Sequence, residues 1–154
     1  MSDWIKVRAA AIRSAESDKK AERNRQVEAT NKLKARVEPF WNELVSVLQD
    51  AVNEFNAEFP EAERQVSHFE RSSPTTVSIR RTAYPAALVR AQLNSGGNSV
   101  HYQMTQTQRK GVESVEKQGS FVFGITQDEV GYIEGAVANH EDVAKLFMEP
   151  FFEF

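Results

Sequence analysis

The placement of glycine and proline is the feature that most restricts how this chain can fold. All seven glycines lie at or after Gly96, and four of the five prolines lie at or after Pro60. Because both residues interrupt regular structure, the first 59 residues, which contain only Pro39, are predicted to be helical. Pro39 is compatible with a kink inside one long helix, or with the first turn of a second helix, where its missing N–H costs nothing.

The predicted helical stretch has two parts of different character. Apolar residues recur at helical spacing in its second part and predict a core-facing helix over residues 39–59. They are Val37, Phe40, Trp41, Leu44, Leu48, Val52, Phe55 and Phe59. Residues 1–38 hold ten Lys and Arg against six Asp and Glu, a net charge of +4, whereas the remainder holds nine against sixteen, a net of −7. We therefore divide the chain into a basic polar helical arm, residues 1–38, and a single α+β domain, residues 39–154.

The arm has few residues that a core would bury. Between Arg13 and Lys32 its only strongly apolar residue is Val27. Since isolated helices are marginal in water, we expect another surface to hold this segment. The side chains expected to make that contact are Trp4, Ile5, Ile12, Val27 and Leu33. The partner is expected to be a second copy of the chain, in a homodimer, or another protein.

After Pro60 the pattern changes to alternation of apolar and polar residues, which predicts strands with one buried and one exposed face. Turn sequences such as SSPT, YP, NSGGN and TQDE separate these segments, and their short connections favour an antiparallel meander. We predict five or six strands between about residues 64 and 138, with QRKGVESVEKQG as a longer loop.

The chain is predicted to return to helix over residues 140–150. Asn139 is a favourable N-cap, and Glu141 and Asp142 place negative charge in the first turn, where the helix dipole stabilises it. This capping helix and the helix over residues 39–59 are expected to cover one face of the sheet. The resulting fold class is α+β.

The last eight residues, FMEPFFEF, contain four of the ten phenylalanines. Helical spacing predicts that Phe147 and Phe151 close the core between sheet and helices. For Phe152 and Phe154 the sequence leaves two alternatives open: burial in the same core, or docking to a partner.

The predicted polar face of the sheet carries the first group of candidate ligand-binding residues. A meander would place Arg80, Arg90, His101 and Gln103 on one surface. Two guanidinium groups there could bind a phosphate or a carboxylate, although polar residues are also the ordinary exposed side of an antiparallel sheet. An enzyme that uses this face, with His101 beside either arginine, is the third functional alternative.

A crevice between sheet and helices is the second candidate site. The aromatic and apolar residues that could line it, or could form an ordinary core, are Phe55, Tyr102, Met104, Phe121, Phe123 and Phe147. This set supports the alternative hypothesis of a carrier for a small apolar ligand.

No motif for a catalytic centre, a cofactor or a metal is found. HEDVA begins like the zinc-protease motif HExxH, but Ala144 stands where the second histidine is required. NSGGNS lacks the GxxxxGK[ST] of a phosphate-binding loop, and the chain has no cysteine for thiolate sites. We therefore expect no cofactor and no bound metal.

These patterns favour a non-catalytic protein-interaction module that self-associates through its N-terminal helix. Nucleic acid is not an expected partner, because the body is acidic and the strand aromatics fall on the buried face. No segment approaches the roughly 20 apolar residues of a membrane span, and we expect a cytoplasmic protein.

Overall fold

A single helix, α1 (Asp3–Glu58), occupies the first third of the chain. The computed structural model describes residues 3–94 and 98–153. Helix α1 runs through Pro39 without interruption, so Pro39 does not begin a second helix. Burial begins at Leu33 and Val37, a few residues before the proline, where the apolar stripe first reaches the sheet.

The sheet is a six-stranded antiparallel meander in which each strand pairs with its neighbours in the sequence. The strands are β1 (His68–Ser73), β2 (Thr76–Arg81), β3 (Ala86–Leu93), β4 (Ser99–Thr107), β5 (Val115–Thr126) and β6 (Glu129–Glu134). This confirms the predicted α+β class and the predicted meander.

Strand β5 is longer than the sequence pattern predicts. Its first residues, Val115 to Gly119, fall in the segment expected to be a loop, but they pair with β4 from Gln106 back to Tyr102. The exposed edge of β4 supplies these backbone partners, and unpaired N–H and C=O groups favour such extension. Gly119 lies opposite Tyr102, whose ring occupies the space that a side chain at residue 119 would need.

The core lies between one face of the sheet and the helices, as predicted. Trp41, Leu44 and Leu48 of α1 are buried against it, and the indole nitrogen of Trp41 donates to the carbonyl oxygen of Pro74 at 2.9 Å. Asn56 fixes the following loop, since its amide accepts from the backbone N–H of Val66 at 2.8 Å and donates to the same residue's carbonyl. The loop is thus held against the last turns of α1.

The second helix, α2 (His140–Met148), continues into a single 3₁₀ turn, Glu149–Phe152. The side chain of Asn139 accepts from the backbone N–H of Asp142 at 2.8 Å, which confirms the predicted N-cap. Pro150 stands at the start of the 3₁₀ turn and is buried. Within the described residues, neither helix has a stretch that is long and apolar enough to cross a bilayer.

Candidate functional site

Residues 3–32 of α1, called the arm below, lie outside the core. Among the side chains described in this range, all are exposed apart from Ala9, which is half-buried. Trp4 is 65% exposed, and Ile5, Ile12 and Val27 are each more than half exposed. The fifth predicted contact residue, Leu33, instead packs against the core cluster. The arm therefore presents four of the five predicted contact residues to its surroundings.

Val7 is an arm residue that the sequence analysis missed. Its side chain is 70% exposed, more than that of any of the predicted contact residues. It lies three residues after Trp4 and five before Ile12, on the flank of the stripe that Trp4, Ile5 and Ile12 form along the helix. The first three turns of α1 therefore carry four large apolar side chains with no covering surface in the same chain.

A groove of about 260 Å³ lies between the last turns of α1 and the helix α2. We call it the helical groove. Its apolar surface comes from Phe55, Phe59, Ala144, Met148 and Phe152. The rings of Phe55 and Phe152 meet edge to face with centroids 5.1 Å apart, and Phe55 and Phe59 are separated by 4.8 Å.

The rim of the helical groove is acidic. It is formed by Glu54, Glu58, Glu141 and Lys145. Lys145 lies 3.6 Å from Glu141, so this pair is balanced and the remaining rim charge is that of Glu54 and Glu58. An apolar surface bordered by two carboxylates favours an apolar segment that also carries cations.

All six residues of the predicted apolar crevice belong to the buried core, but they do not line one cavity together. Phe55 lines the helical groove, and Met104 borders a different depression of about 140 Å³. The other four pack together as core: Phe121 and Phe123 have centroids 5.7 Å apart, and Tyr102 lies 5.3 Å from Phe147. Only Phe55 of the predicted set thus belongs to the apolar groove between the helices.

The register of the sheet brings the four predicted polar residues onto one exposed face. Arg90 is directly opposite Gln103, with His101 two residues further along β4. Arg80 is on β2, next to Leu88 of β3, and lies diagonally from Arg90. Arg80 and Arg90 line a depression of about 220 Å³ that also contains His68 and Glu70. The face can therefore bring two cations to one ligand, beside a carboxylate that opposes binding of anions.

A cluster of Glu43, His140 and Tyr132 joins α1, α2 and β6. The hydroxyl of Tyr132 is 2.8 Å from Nδ1 of His140, whose Nε2 is 3.8 Å from a carboxylate oxygen of Glu43. Phe40 covers the imidazole with ring centroids 4.4 Å apart. The sequence analysis assigned His140 to the first turn of a helix and gave no signal for this cluster, since its members come from three separate elements and Glu43 is distant from the other two in the chain.

Burial controls the protonation of this cluster. It raises the pKa of Tyr132, and the charge of Glu43 adds to that rise. Burial lowers the pKa of His140, while the charge and hydrogen bonding of Glu43 oppose that shift. A neutral imidazole that accepts from Tyr132 is consistent with both directions, and the cluster acts as a polar connection between the three elements.

Arg81 holds the C-terminal segment, which contains the predicted core-closing phenylalanines. Its guanidinium donates to the carbonyl oxygens of Phe151 at 2.8 Å and Glu153 at 3.0 Å, and also to those of Arg64 and Pro85. Burial lowers the pKa of Arg81. Arg81 falls at the same alternating buried positions of β2 as Val77 and Ile79. An arginine at a position where the alternation predicts an apolar residue was the sequence signal that could have revealed this buried role.

The phenylalanines of the tail divide into core and surface. Phe147 and Phe151 are fully buried, as their helical spacing predicts. Phe152 is 56% exposed and lies in the helical groove, which leaves it accessible to a partner. Phe154 lies outside the described residues, so its two alternatives stay open.

The described residues contain no group of three or more His, Asp or Glu side chains that could hold a metal ion. Comparison of this chain with protein-family models, with curated proteins and with solved structures finds no match. The site therefore has to be interpreted from its own geometry, in which the exposed arm and the helical groove are two apolar features without a covering element.

Proposed function

We propose that this protein is a non-catalytic interaction module that self-associates through its arm. The observation that carries the proposal is the exposure of Trp4, Ile5, Val7 and Ile12 on the first turns of α1, which lie outside the core. Burying a large apolar side chain stabilises a complex by roughly 1.5–3 kcal/mol. Docking of the arm therefore has a substantial driving force.

The arm also needs a partner for its own stability. An ion pair between Arg25 and Glu22 spans 3.8 Å in the arm and is exposed on both sides. Exposed pairs of this kind contribute about 0–1 kcal/mol, and helices without tertiary contacts are marginal in water. A partner surface that covers the apolar stripe would supply the missing stabilisation.

A second copy of the chain is the partner that the charges favour. Residues 1–38 carry a net charge of +4 and the remainder −7, so the arm of one molecule is attracted to the body of another. A cytoplasmic location is part of the proposal, and the absence of cysteine suits a reducing compartment.

Light scattering of two chains tests self-association. The full-length protein is expected to have twice its monomer mass of 17.4 kDa, whereas a chain that begins at Ala35 is expected to be monomeric. The truncation removes Leu33 but keeps every buried residue from Val37 onwards, so its melting temperature should stay within a few degrees of the full-length value. Two monomeric chains of equal stability would contradict the proposal.

A carrier of a small apolar ligand is the second candidate function, and the helical groove is the observation in its favour. Its volume of about 260 Å³ lies just below the roughly 300–1,000 Å³ of typical ligand pockets, and its rim is charged. Native mass spectrometry of freshly purified protein tests this function. A bound small molecule that is lost when Phe55 is replaced by a charged residue would favour a carrier over self-association.

A further inference from the structure

The arm and the helical groove have complementary chemistry. The first turns of the arm combine Trp4, Ile5 and Ile12 with the cations Arg8 and Arg13. The helical groove combines an apolar floor with the two uncompensated carboxylates of Glu54 and Glu58, as described above. Apolar contact and charge attraction would therefore act together if these two surfaces met.

The two surfaces cannot meet within one molecule. Helix α1 is continuous from Asp3 to Glu58, and the groove is built on its last turns. At about 1.5 Å per residue, about 65 Å of helix separates Ile12 from Phe55. The arm of one molecule can therefore reach only the groove of another.

We infer that the arm of one copy docks in the helical groove of a second copy, and that this happens twice in an antiparallel twofold dimer. The inference rests on the proposed function and names the surface that the arm binds. An antiparallel pair of α1 helices places Trp4 near Phe59 and Ile12 near Ala51, because both pairs of positions have the same midpoint, between residues 31 and 32. Each copy then gives one arm and receives one, so the interface is closed and leaves no free arm or groove.

This arrangement matches the groove in three respects. The cation Arg8 lies on the same side of the arm helix as Trp4, Ile5 and Ile12, within the segment that enters the groove, where Glu54 and Glu58 are the available carboxylates. The edge-to-face rings of Phe55 and Phe152 provide aromatic surface for Trp4. The exposed state of Phe152, which is unusual for a ring beside a closed core, is explained by a partner side chain that covers it.

Charge reversal on each surface tests the inference. The arm variant carries Arg8→Glu, and the groove variant carries Glu54→Lys and Glu58→Lys. Each variant alone is expected to be monomeric at a concentration at which the wild type is dimeric, because like charges then face each other. An equimolar mixture is expected to restore the dimer, because each reversed surface meets its complement in the other chain.

A matched control removes the effect of net charge. Glu113→Lys with Glu116→Lys changes the net charge by the same amount as the groove variant, at exposed positions outside the groove, and it should leave the dimer intact. Circular dichroism at 222 nm should show unchanged helicity in every variant, since glutamate and lysine both favour helix. The mixing result does not depend on small losses of stability in either variant.

The outcomes separate the groove from the broader proposal. If the arm variant is monomeric but the groove variant stays dimeric, the arm binds another arm, and the inference about the groove is wrong while self-association stands. If the mixture stays monomeric, arm and groove do not pair. If the wild type is itself monomeric at every concentration, both the groove inference and the proposed self-association fail.

Disulfide cross-linking tests the same geometry, since the native chain has no cysteine. A chain with Ala9→Cys, on the flank of the apolar stripe, is mixed with a chain with Ala144→Cys, in the groove. Mild oxidation is expected to join the two chains. Ala10→Cys, on the opposite side of the arm helix, is the control and should cross-link far more slowly. Equal rates for positions 9 and 10 would contradict docking of this face.

Discussion

The ring of Phe151 is fully buried beside the guanidinium of Arg81, whereas the ring of Phe152 is 56% exposed in the helical groove. These two phenylalanines follow each other in one 3₁₀ turn, so adjacent positions of one short element serve the core and the surface. Arg81 holds this turn in place, since it donates to the backbone carbonyls of Phe151 and Glu153.

The two rings should respond differently to truncation. Phe151→Ala is expected to lower the free energy of unfolding by about 3–5 kcal/mol, because it leaves a cavity in a packed core. Phe152→Ala is expected to cost only about 1 kcal/mol, the value of its aromatic contacts. Urea unfolding, followed by the fluorescence of buried Trp41, measures the free energy of unfolding of both variants at a concentration where the chain is monomeric. Equal losses would show that Phe151 does not close the core.

His140 should make stability depend on pH. Burial lowers its pKa in the folded protein below the ordinary value of 6.5, so the fold favours the neutral imidazole. The contribution of the neutral ring to the free energy of unfolding is complete above about pH 6.5 and is lost as the pH falls through the folded-state pKa. Tyr132 and Glu43 face the ring, and the charge of Glu43 reduces the effect without reversing it.

The comparison between wild type and His140→Gln isolates this contribution. The stability advantage of the wild type, measured by urea unfolding, is expected to shrink as the pH is lowered from 8 to 5. An advantage of His140 that stays constant with pH would argue against a buried neutral imidazole.

At the scale of elements, α1 combines two helical segments that are stabilised in different ways. From Val37 onwards its apolar stripe is buried by the sheet and by α2, whereas residues 3–32 are helical without covering contacts. Pro39 lies near the junction between these parts and is exposed. A proline in a helix interior removes one backbone donor and crowds the preceding turn, which disfavours helix. Helix α1 nevertheless continues through Pro39 without interruption.

Pro39→Ala is therefore expected to stabilise the protein. Alanine is favoured over proline in a helix interior by about 3 kcal/mol, offset by about 0.4–1 kcal/mol because proline also restricts the unfolded chain. Urea unfolding should show a gain of about 2 kcal/mol, with increased helicity at 222 nm. Pro150→Ala is the control: that proline is buried at the start of a 3₁₀ turn, and its loss should destabilise. No gain at position 39 would mean that α1 tolerates its proline without cost.

At the scale of the whole molecule, a compact body carries a helix that extends about 45 Å beyond it, at 1.5 Å for each of the residues 3–32. The charges follow the same division, with a positive arm and a negative body. Because α1 is one continuous helix between them, the arm and the helical groove of the same chain lie far apart. This shape and charge division support the self-association proposed above.

Much of the fold could be predicted from local sequence. The absence of glycine and the presence of a single proline before residue 60 indicate the helix, and the alternation in segments such as Ala86–Leu93 and Ser99–Thr107 indicates the meander. Asn139 marks the start of α2. These signals are reliable because hydrophobic periodicity and capping act between residues that are close in the chain.

The candidate sites were less predictable. Phe55 was expected beside Tyr102 and Phe121 in one crevice, but it faces the opposite helix while the other two lie in the sheet core. The contact between His140 and Tyr132, and the anchoring of the tail by Arg81, join elements that periodicity treats separately. Which apolar residues form a groove and which form the core depends on how the layers pack.

Helix, strands, their order and the division of charge thus follow from the chain itself, because each rests on residue type and short-range spacing. The continuity of α1 through Pro39, the extra length of β5 and the acidic helical groove required the folded molecule. Each of these depends on surfaces contributed by distant segments: the sheet that holds α1, the edge of β4 that pairs β5, and α2 beside the last turns of α1. Long-range packing overrides or completes local preference at these points.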